Sequence, residues 1–235
     1  MLTIRRINGV TAIQPPDGLD CLLRHKARRP PSFGFDNRGA SDKGMQHLTL
    51  KLNGIRIRYA CISRNGSSAF KLALGHQPDT PLAEIVPENS SRWYHHHDAT
   101  IFVWRDPQER LLSLYRSKIL DGKDNASLLR CYYQVMGTAP SDFENFVRFA
   151  ASYADPHCLP QSAHLMPVIY THAIRLDQLY LNMMQMVGPY TAAPFARRSN
   201  RSDHHPVKIT PFSRALIQTI YACDYRMIDR ITGKL

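Results

Sequence analysis

Residues 99–109 read ATIFVWRDPQE, an apolar run that passes directly into a helix-start signal. An apolar run without polar alternation is typical of a central parallel strand that is covered on both faces. Asp106 suits the N-cap of a helix, Pro107 its first position and Glu109 its third, as in a capping box. This stretch therefore predicts a buried strand over residues 99–104 that leads straight into a helix.

The same order of strand, loop and helix occurs earlier in the chain. Residues 55–61 alternate apolar and polar side chains, SRNGSS at 63–68 interrupts the pattern, and residues 69–74 fit a helix. The other predicted elements are a short strand over 172–176 and helices over 125–136, over 142–153 with Ser141 as N-cap, over 178–187, and after Thr210-Pro211. Alternating strands and helices predict an α/β fold, a single-domain P-loop-like parallel sheet flanked by helices. Ligands of such sheets bind at the carboxyl ends of the strands.

Residues 1–50 show neither the sustained two-residue hydrophobic period of a strand nor the sustained 3.6-residue period of a helix, and they contain the basic run RHKARRPP at 24–31. We predict an irregular basic N-terminal arm over 1–50, followed by one domain over 51–235. The basic run either lies on the solvated surface or binds an anionic acceptor.

Composition narrows the class of protein. The 235 residues include 30 Lys and Arg against 19 Asp and Glu, a formal charge of +11, which favours an anionic ligand, an acidic polymer or a membrane surface as partner. Five scattered cysteines without a C-x-x-C pair favour neither disulfides nor zinc. No apolar run reaches the roughly 18 residues that span a bilayer, and no signal peptide is evident. These features predict a soluble, cytoplasmic protein without a metal.

The loop at 63–68 has the composition of an anion site. Gly66 permits a tight turn, Ser67 and Ser68 carry small hydroxyls at the start of a helix, and Arg64 adds a cation. The alternative is an ordinary polar turn. The loop is not a Walker A motif, because no Lys follows the glycine at the required spacing.

A second anion site is predicted where the buried strand ends. Arg105 follows that strand, and Ser113 lies eight residues later on the next helix. The alternatives are an ion pair of Arg105 with Asp106 or Glu109, and a neutral helix residue at 113. Two anion sites on one rim of the sheet suit a nucleotide that carries phosphate at both its 5′ and 3′ positions.

These two motifs resemble those of one enzyme family. CISRNGSSAFKLAL at 61–74 resembles the 5′-phosphosulfate loop of sulfotransferases that use 3′-phosphoadenosine 5′-phosphosulfate (PAPS). FVWRDPQERLLSLYRSKI at 102–119 resembles their 3′-phosphate motif in its carbohydrate-sulfotransferase form, R-D-P-x-x-R-x-x-S-x-Y. DPHCLPQ at 155–161 is similar to a downstream H-W-x-P-Q element of the same group. The resemblance runs from about residue 55 to the end of the chain.

The resemblance implies that residues 51–235 form a PAPS-binding domain that transfers a sulfuryl group to an acceptor hydroxyl on a carbohydrate or glycolipid. By the same resemblance, the residues that hold the 5′-phosphosulfate are Arg64, Asn65, Gly66, Ser67 and Ser68. Arg105 and Ser113 would hold the 3′-phosphate. Arg197 and Arg198, in a basic loop similar to one that closes over the nucleotide, would add phosphate contacts, unless that loop is simply solvated.

The chain departs from the carbohydrate enzymes at Arg64, where they usually have Lys. Tyrosylprotein sulfotransferases have Arg at this position, and HQPDTPLAEIV, which contains Glu84, resembles the segment that bears their catalytic Glu. Arg stays charged and offers a planar fork of donors, but it gives up a proton less readily than Lys. A tyrosylprotein-type activity is therefore the alternative within the family.

A base is needed to take the proton of the acceptor hydroxyl. Glu84 is the first candidate, against an ordinary exposed carboxylate, and His157 is the second, although a lone His is more often structural. The three histidines at 95–97 precede the strand at 99–104, so they are predicted to lie on the surface at its amino end.

Two further functions stay open from the sequence. A nucleotide-dependent kinase with an unusual loop would need magnesium and ATP. A non-catalytic basic module that binds nucleic acid or an acidic polysaccharide would show a steep salt dependence without any nucleotide. No basic stripe interleaved with aromatic residues supports that module, so nucleic acid is not expected as a partner.

Overall fold

The computed structural model describes residues 3–7, 10–14, 34–41, 43–92, 94–122, 126–196 and 205–234. The chain divides into two compact units, Met1–Ser32 and Phe33–Leu235. The first contains an antiparallel hairpin of β1 (Thr3–Ile7) and β2 (Val10–Gln14). These strands are too short to show a sustained period, which is why the sequence predicted an irregular arm here.

The larger unit is built on a five-stranded mixed sheet. Its strands are β4 (His47–Leu52), β5 (Ile55–Ala60), β6 (Ser90–Ser91), β7 (Ala99–Trp104) and β9 (His172–Arg175). They lie in the order β6-β4-β5-β7-β9. Strands β5, β7 and β9 are parallel, whereas β4 is antiparallel to both of its neighbours. Outside this sheet, β3 (Phe35–Asp36) pairs with β8 (Ile169–Tyr170).

The α/β class is confirmed, but the sheet is mixed rather than wholly parallel. The reason is a tight hairpin between β4 and β5, in which Asn53 and Gly54 both have positive φ angles, 49° and 78°. Asn-Gly is the preferred dipeptide for such a two-residue turn. Residues 47–50 of β4 thus belong to the sheet and not to the irregular arm predicted over 1–50.

Helices flank this sheet, and all of those described except Leu82–Asn89 and Ala193–Ala196 lie where the sequence predicted helices. In the described ranges they are α1 (Ser67–Ala73), α2 (Leu82–Asn89), α3 (Pro107–Tyr115), α4 (Ala126–Met136), α5 (Phe143–Ser152), α6 (Leu179–Val187), α7 (Ala193–Ala196), α8 (Pro211–Ile220) and α9 (Ala222–Ile231). A π-helical turn, Arg116–Leu120, continues α3, and short 3-10 turns occupy Gln161–His164 and Leu176–Gln178.

Two helix boundaries differ from the prediction. The N-cap of α5 is Asp142 rather than Ser141, because the Asp142 carboxylate accepts a hydrogen bond from the Asn145 amide at 2.8 Å. The last predicted helix is broken at Tyr221 into α8 and α9. The buried Tyr221 hydroxyl donates to the Cys158 carbonyl at 2.6 Å, a tertiary contact that no local pattern reveals.

Each face of the sheet has its own apolar core. Side chains of one face, such as Tyr59, pack against α1, α2, α6 and α7, and the Tyr59 ring stacks on Phe70 of α1 at 3.6 Å. The other face, which includes Phe102, is covered by the β3–β8 pair and α9. A third cluster joins α3, α4, α5 and α8. Within the described part of the chain, no helix is both long and apolar enough to cross a membrane.

Candidate functional site

The parallel pairing of β5 with β7 brings the two predicted anion sites together. Ala60 lies opposite Phe102, so both strands end at the same edge of the sheet. Beyond that edge, the Nη1 atom of Arg105 lies 3.5 Å from the carbonyl oxygen of Arg64. The loop at 63–68 and the start of α3 are therefore neighbours, as the sequence predicted.

The first loop is held in an unusual backbone conformation. Arg64 has a φ angle of 68° and Gly66 one of 80°. A positive φ is uncommon for a residue with a side chain, and such conformations cluster at functional sites. Arg64 donates from Nη2 to the hydroxyl of Ser117 at 3.0 Å. The amides that open α1 are oriented as a helix N-terminus presents them to an anion.

Gly66 cannot easily be replaced. A Cβ atom there would lie 2.9 Å from Leu179 Cδ2 and 3.0 Å from Leu176 Cδ1. We expect Gly66→Ala to lower the free energy of unfolding by about 1–2 kcal/mol from the positive φ alone, and by more from the packing conflict. Urea denaturation measures the loss. Gly75→Ala is the matched control, because Gly75 has a φ of 84° but open space around its Cβ position; equal losses in the two variants would contradict the packing argument.

Asn65 supports the loop rather than facing its open side. Its side chain is fully buried, and Nδ2 donates to the carbonyl of Val103 at 2.7 Å and to Oε1 of Gln161 at 2.6 Å. Its own amide donates to the Ile62 carbonyl at 3.2 Å. The sequence-based assignment of Asn65 to the ligand is therefore replaced by a structural role, because both of its donor groups are occupied by protein.

Arg105 has the environment expected of an anion-binding residue. Its side chain is only 21% exposed, and the ion pair that it forms with the exposed Glu109 is long at 3.5 Å. The buried Nε has no hydrogen-bond partner in the described residues. Burial lowers the pKa of Arg105, an effect that Glu109 opposes and nearby Arg116 reinforces. A buried guanidinium with an unpaired N–H is suited to a phosphate, since buried donors are nearly always paired.

Ser113 lies half-buried on α3, one helical turn before Ser117. No hydrogen bond of its hydroxyl is found among the described residues, so its role in holding the 3′-phosphate stays a prediction. Ser117, which sequence reasoning missed, lies in the π-helical turn and meets Arg64 directly. Such turns are frequent at functional sites, but they arise from tertiary packing and leave no local signal.

Arg110 is a second residue that sequence reasoning missed. It is 2% exposed, and its guanidinium donates to the carbonyls of Ser63 at 3.0 Å, Leu159 at 2.7 Å and His157 at 3.1 Å. The sequence contained one signal for Arg110, because it is the second Arg of the R-D-P-x-x-R motif. Arg110 ties the backbone of the first loop to the segment that carries His157.

His157 forms a dyad with Asp155. The Asp155 Oδ1 atom accepts hydrogen bonds from the His157 amide at 2.8 Å and from the ring Nδ1 at 2.9 Å. Burial raises the pKa of Asp155, but the hydrogen bonds from His157 outweigh it and hold the pKa below its usual value. An ionised carboxylate only accepts, so Nδ1 carries the proton and Nε2 of the neutral ring is left as an acceptor. The side chain of His157 is 38% exposed and thus reachable by a substrate.

Glu84, the first candidate for the base, is not brought to this group. Glu84 is exposed on α2, which packs against β4 and β6, and no hydrogen bond or ion pair joins it to either loop in the described residues. His97 bonds to Thr49 at 3.0 Å, a structural contact. Arg197 and Arg198 lie outside the described residues. In the described ranges, no group of three or more His, Cys, Asp or Glu could hold a metal ion.

Part of the chain is similar to one known protein family. Residues 76–174 match the model of the Sulfotransferase family. The matched segment contains Arg105, α3 and the Asp155–His157 dyad, and it begins after the loop at 63–68. No curated protein and no solved structure matches the chain.

Proposed function

We propose that this chain is a sulfotransferase that moves a sulfuryl group from PAPS to a hydroxyl of a carbohydrate or glycolipid, as the match of residues 76–174 to the Sulfotransferase family supports. The observation that carries the proposal is the contact of Arg105 with the Arg64 loop, together with the buried Nε of Arg105, which finds no partner in the described part of the chain. Two anion sites on one rim suit a single nucleotide that is phosphorylated at both ends.

The donor is bound by two sets of groups. Arg64, the amides at the start of α1 and the hydroxyls of Ser67 and Ser68 hold the 5′-phosphosulfate. Arg105 and Ser113 hold the 3′-phosphate. Charge-assisted bonds from a buried guanidinium to phosphate are shorter and stronger than neutral ones, so Arg105 supplies much of the selectivity for the 3′-phosphate.

Two side chains carry the chemistry in this proposal. His157 Nε2 takes the proton of the acceptor hydroxyl, whose oxygen forms the new bond to sulfur. Arg64 donates to the phosphate oxygen on which the electron pair of the broken S–O bond remains. Asp155 keeps the imidazole in the required tautomer and stabilises the imidazolium that forms. Positioning and preorganised charge account for most of the rate, as in phosphoryl transfer.

His157 replaces Glu84 as the favoured base for a geometric reason. A base must reach the proton that it abstracts. Arg110 holds the His157 carbonyl and the Ser63 carbonyl with the same guanidinium, which keeps the His157 segment beside the donor loop. Glu84 lies exposed on the helix that packs against β4 and β6, and among the described residues no hydrogen bond or ion pair joins it to the donor loop.

Arg105→Ala is expected to weaken binding of adenosine 3′,5′-bisphosphate (PAP), the product of the donor, by about 10- to 100-fold, because one to two charge-assisted bonds are lost. Isothermal titration calorimetry measures this change. The matched control is Arg38→Ala, which removes an exposed guanidinium paired with Asp36. Unchanged affinity for PAP in the Arg105 variant would contradict the 3′-phosphate assignment.

Incubation of the protein with ³⁵S-labelled PAPS and a panel of glycans, glycolipids and tyrosine peptides tests the reaction itself. Label in glycans or glycolipids is the expected result. Label in peptides alone would favour the tyrosylprotein-type alternative. Turnover of ATP with magnesium, or salt-dependent polyanion binding without nucleotide, would replace the proposal with a kinase or a basic binding module.

A further inference from the structure

Gln161 connects the two anion-binding loops. It is fully buried in the 3-10 turn Gln161–His164. Its amide pairs with both backbone groups of Arg105: Oε1 accepts from the Arg105 N–H at 3.1 Å, and Nε2 donates to the Arg105 carbonyl at 2.9 Å. The same Oε1 accepts from Asn65 Nδ2 at 2.6 Å. The Gln161 side chain thus bonds both to Arg105, which follows β7, and to Asn65 in the first loop.

Asp224 of α9 fixes the orientation of this amide. The Asp224 carboxylate is fully buried. Its Oδ2 accepts from the backbone N–H of Gln161 at 2.7 Å and from the side-chain Nε2 of Gln161 at 3.3 Å, and its Oδ1 accepts from the backbone N–H of Ser162 at 2.9 Å. A carboxylate can only accept, so the NH₂ end of Gln161 must face it. The carbonyl end must then face Arg105 and Asn65, and a reversed amide would lose these bonds.

The geometry points to Gln161 as a positioning residue that fixes the separation of the two loops, so that a nucleotide with both 5′- and 3′-phosphates binds better than one with a single phosphate. This inference rests on the proposed function and extends it to a residue that does not touch the donor. The side chain has no exposed surface, so its effect on binding must pass through the backbone of Arg105 and the side chain of Asn65.

Gln161→Met tests this role, because Met has similar length and volume but cannot pair with a backbone amide. The exposed Gln134→Met on α4 is the matched control. Calorimetry compares PAP with adenosine 5′-monophosphate (AMP), which lacks the 3′-phosphate. We expect the affinity of Gln161→Met for PAP to fall about tenfold and that for AMP to stay within about twofold, since a displaced Arg105 loses one charge-assisted contact. The preference for PAP over AMP is therefore the quantity that changes.

A purely structural role would give a different result. Equal losses for PAP and AMP in the folded variant, or an unchanged preference, would overturn the role of Gln161 and leave the proposed function intact. A wild-type chain that binds PAP no better than AMP would overturn the proposed donor, and the role of Gln161 in selecting it would fall as well.

Hydrogen exchange on the wild-type protein gives a test that does not depend on a variant folding. If Gln161 couples the loops, AMP bound at the 5′ site will slow amide exchange in peptides covering both 63–68 and 103–107. Slowed exchange at 63–68 alone would overturn the coupling. Gln134→Met should behave as the wild type in this measurement.

Discussion

Alanine in place of His157 is expected to lower kcat by about 100- to 10,000-fold, because the acceptor hydroxyl loses its general base. Affinity for PAP should change little, since the imidazole bonds to Asp155 and makes no predicted contact with the donor. Steady-state kinetics with saturating PAPS, combined with calorimetry of PAP binding, separates the two effects. The control is His96→Ala, which removes an exposed histidine outside the site.

Asp155→Asn extends this prediction. The amide of Asn can donate to Nδ1 and so favours the wrong tautomer, in which Nε2 carries the proton. We expect kcat to fall while PAP binding is retained. If Glu84→Gln abolished activity while His157→Ala remained near the wild type, Glu84 would be the base instead.

Removal of the Arg64 side chain is the second change with a large expected effect. Arg64→Ala should lower kcat by about 100- to 1,000-fold, as loss of a preorganised donor to developing charge does in other enzymes. Arg64→Lys should recover much of the rate, because a Lys can still donate to the leaving oxygen. Rapid-quench measurement of a single turnover monitors the chemical step directly.

The neighbouring hydroxyl provides the control for Arg64. Ser117→Ala removes the partner that Arg64 contacts at 3.0 Å but leaves the charge in place. We expect a loss of less than about tenfold, since a neutral hydrogen bond contributes about 1 kcal/mol. An Arg64→Ala variant whose defect lay only in KM, with kcat unchanged, would show that Arg64 binds the donor without assisting the reaction.

The sequence predicted the framework of the fold well where the pattern was local. β7 was predicted at its observed bounds, and Asp106 caps α3 as expected, accepting from the Glu109 amide at 3.0 Å. The strand β4 was missed although Leu48, Leu50 and Leu52 alternate with polar residues. It was missed because it adjoins the Pro- and Arg-rich residues of the N-terminal region, which show no sustained period when they are taken together with it.

Of the candidate site, the sequence predicted the motifs but not which of their residues face a ligand. Gly66 and Arg105 stand where the strand–loop–helix order predicts them. Asn65 belongs to the same motif as Gly66, yet it is fully buried and bonded to Gln161. Adjacent residues of a turn point in different directions, and the motif alone does not state which direction each one takes.

Sequence alone determined the α/β class, the two loops and the basic charge, because each depends on residue order within a few positions. Only the tertiary structure decided that Arg110 anchors the backbone of His157 to the first loop, and that Gln161 joins that loop to Arg105. These contacts join residues that lie far apart in sequence, so no local period or motif spacing contains them. They form because the parallel strands end at one edge and a buried polar group there must find a partner.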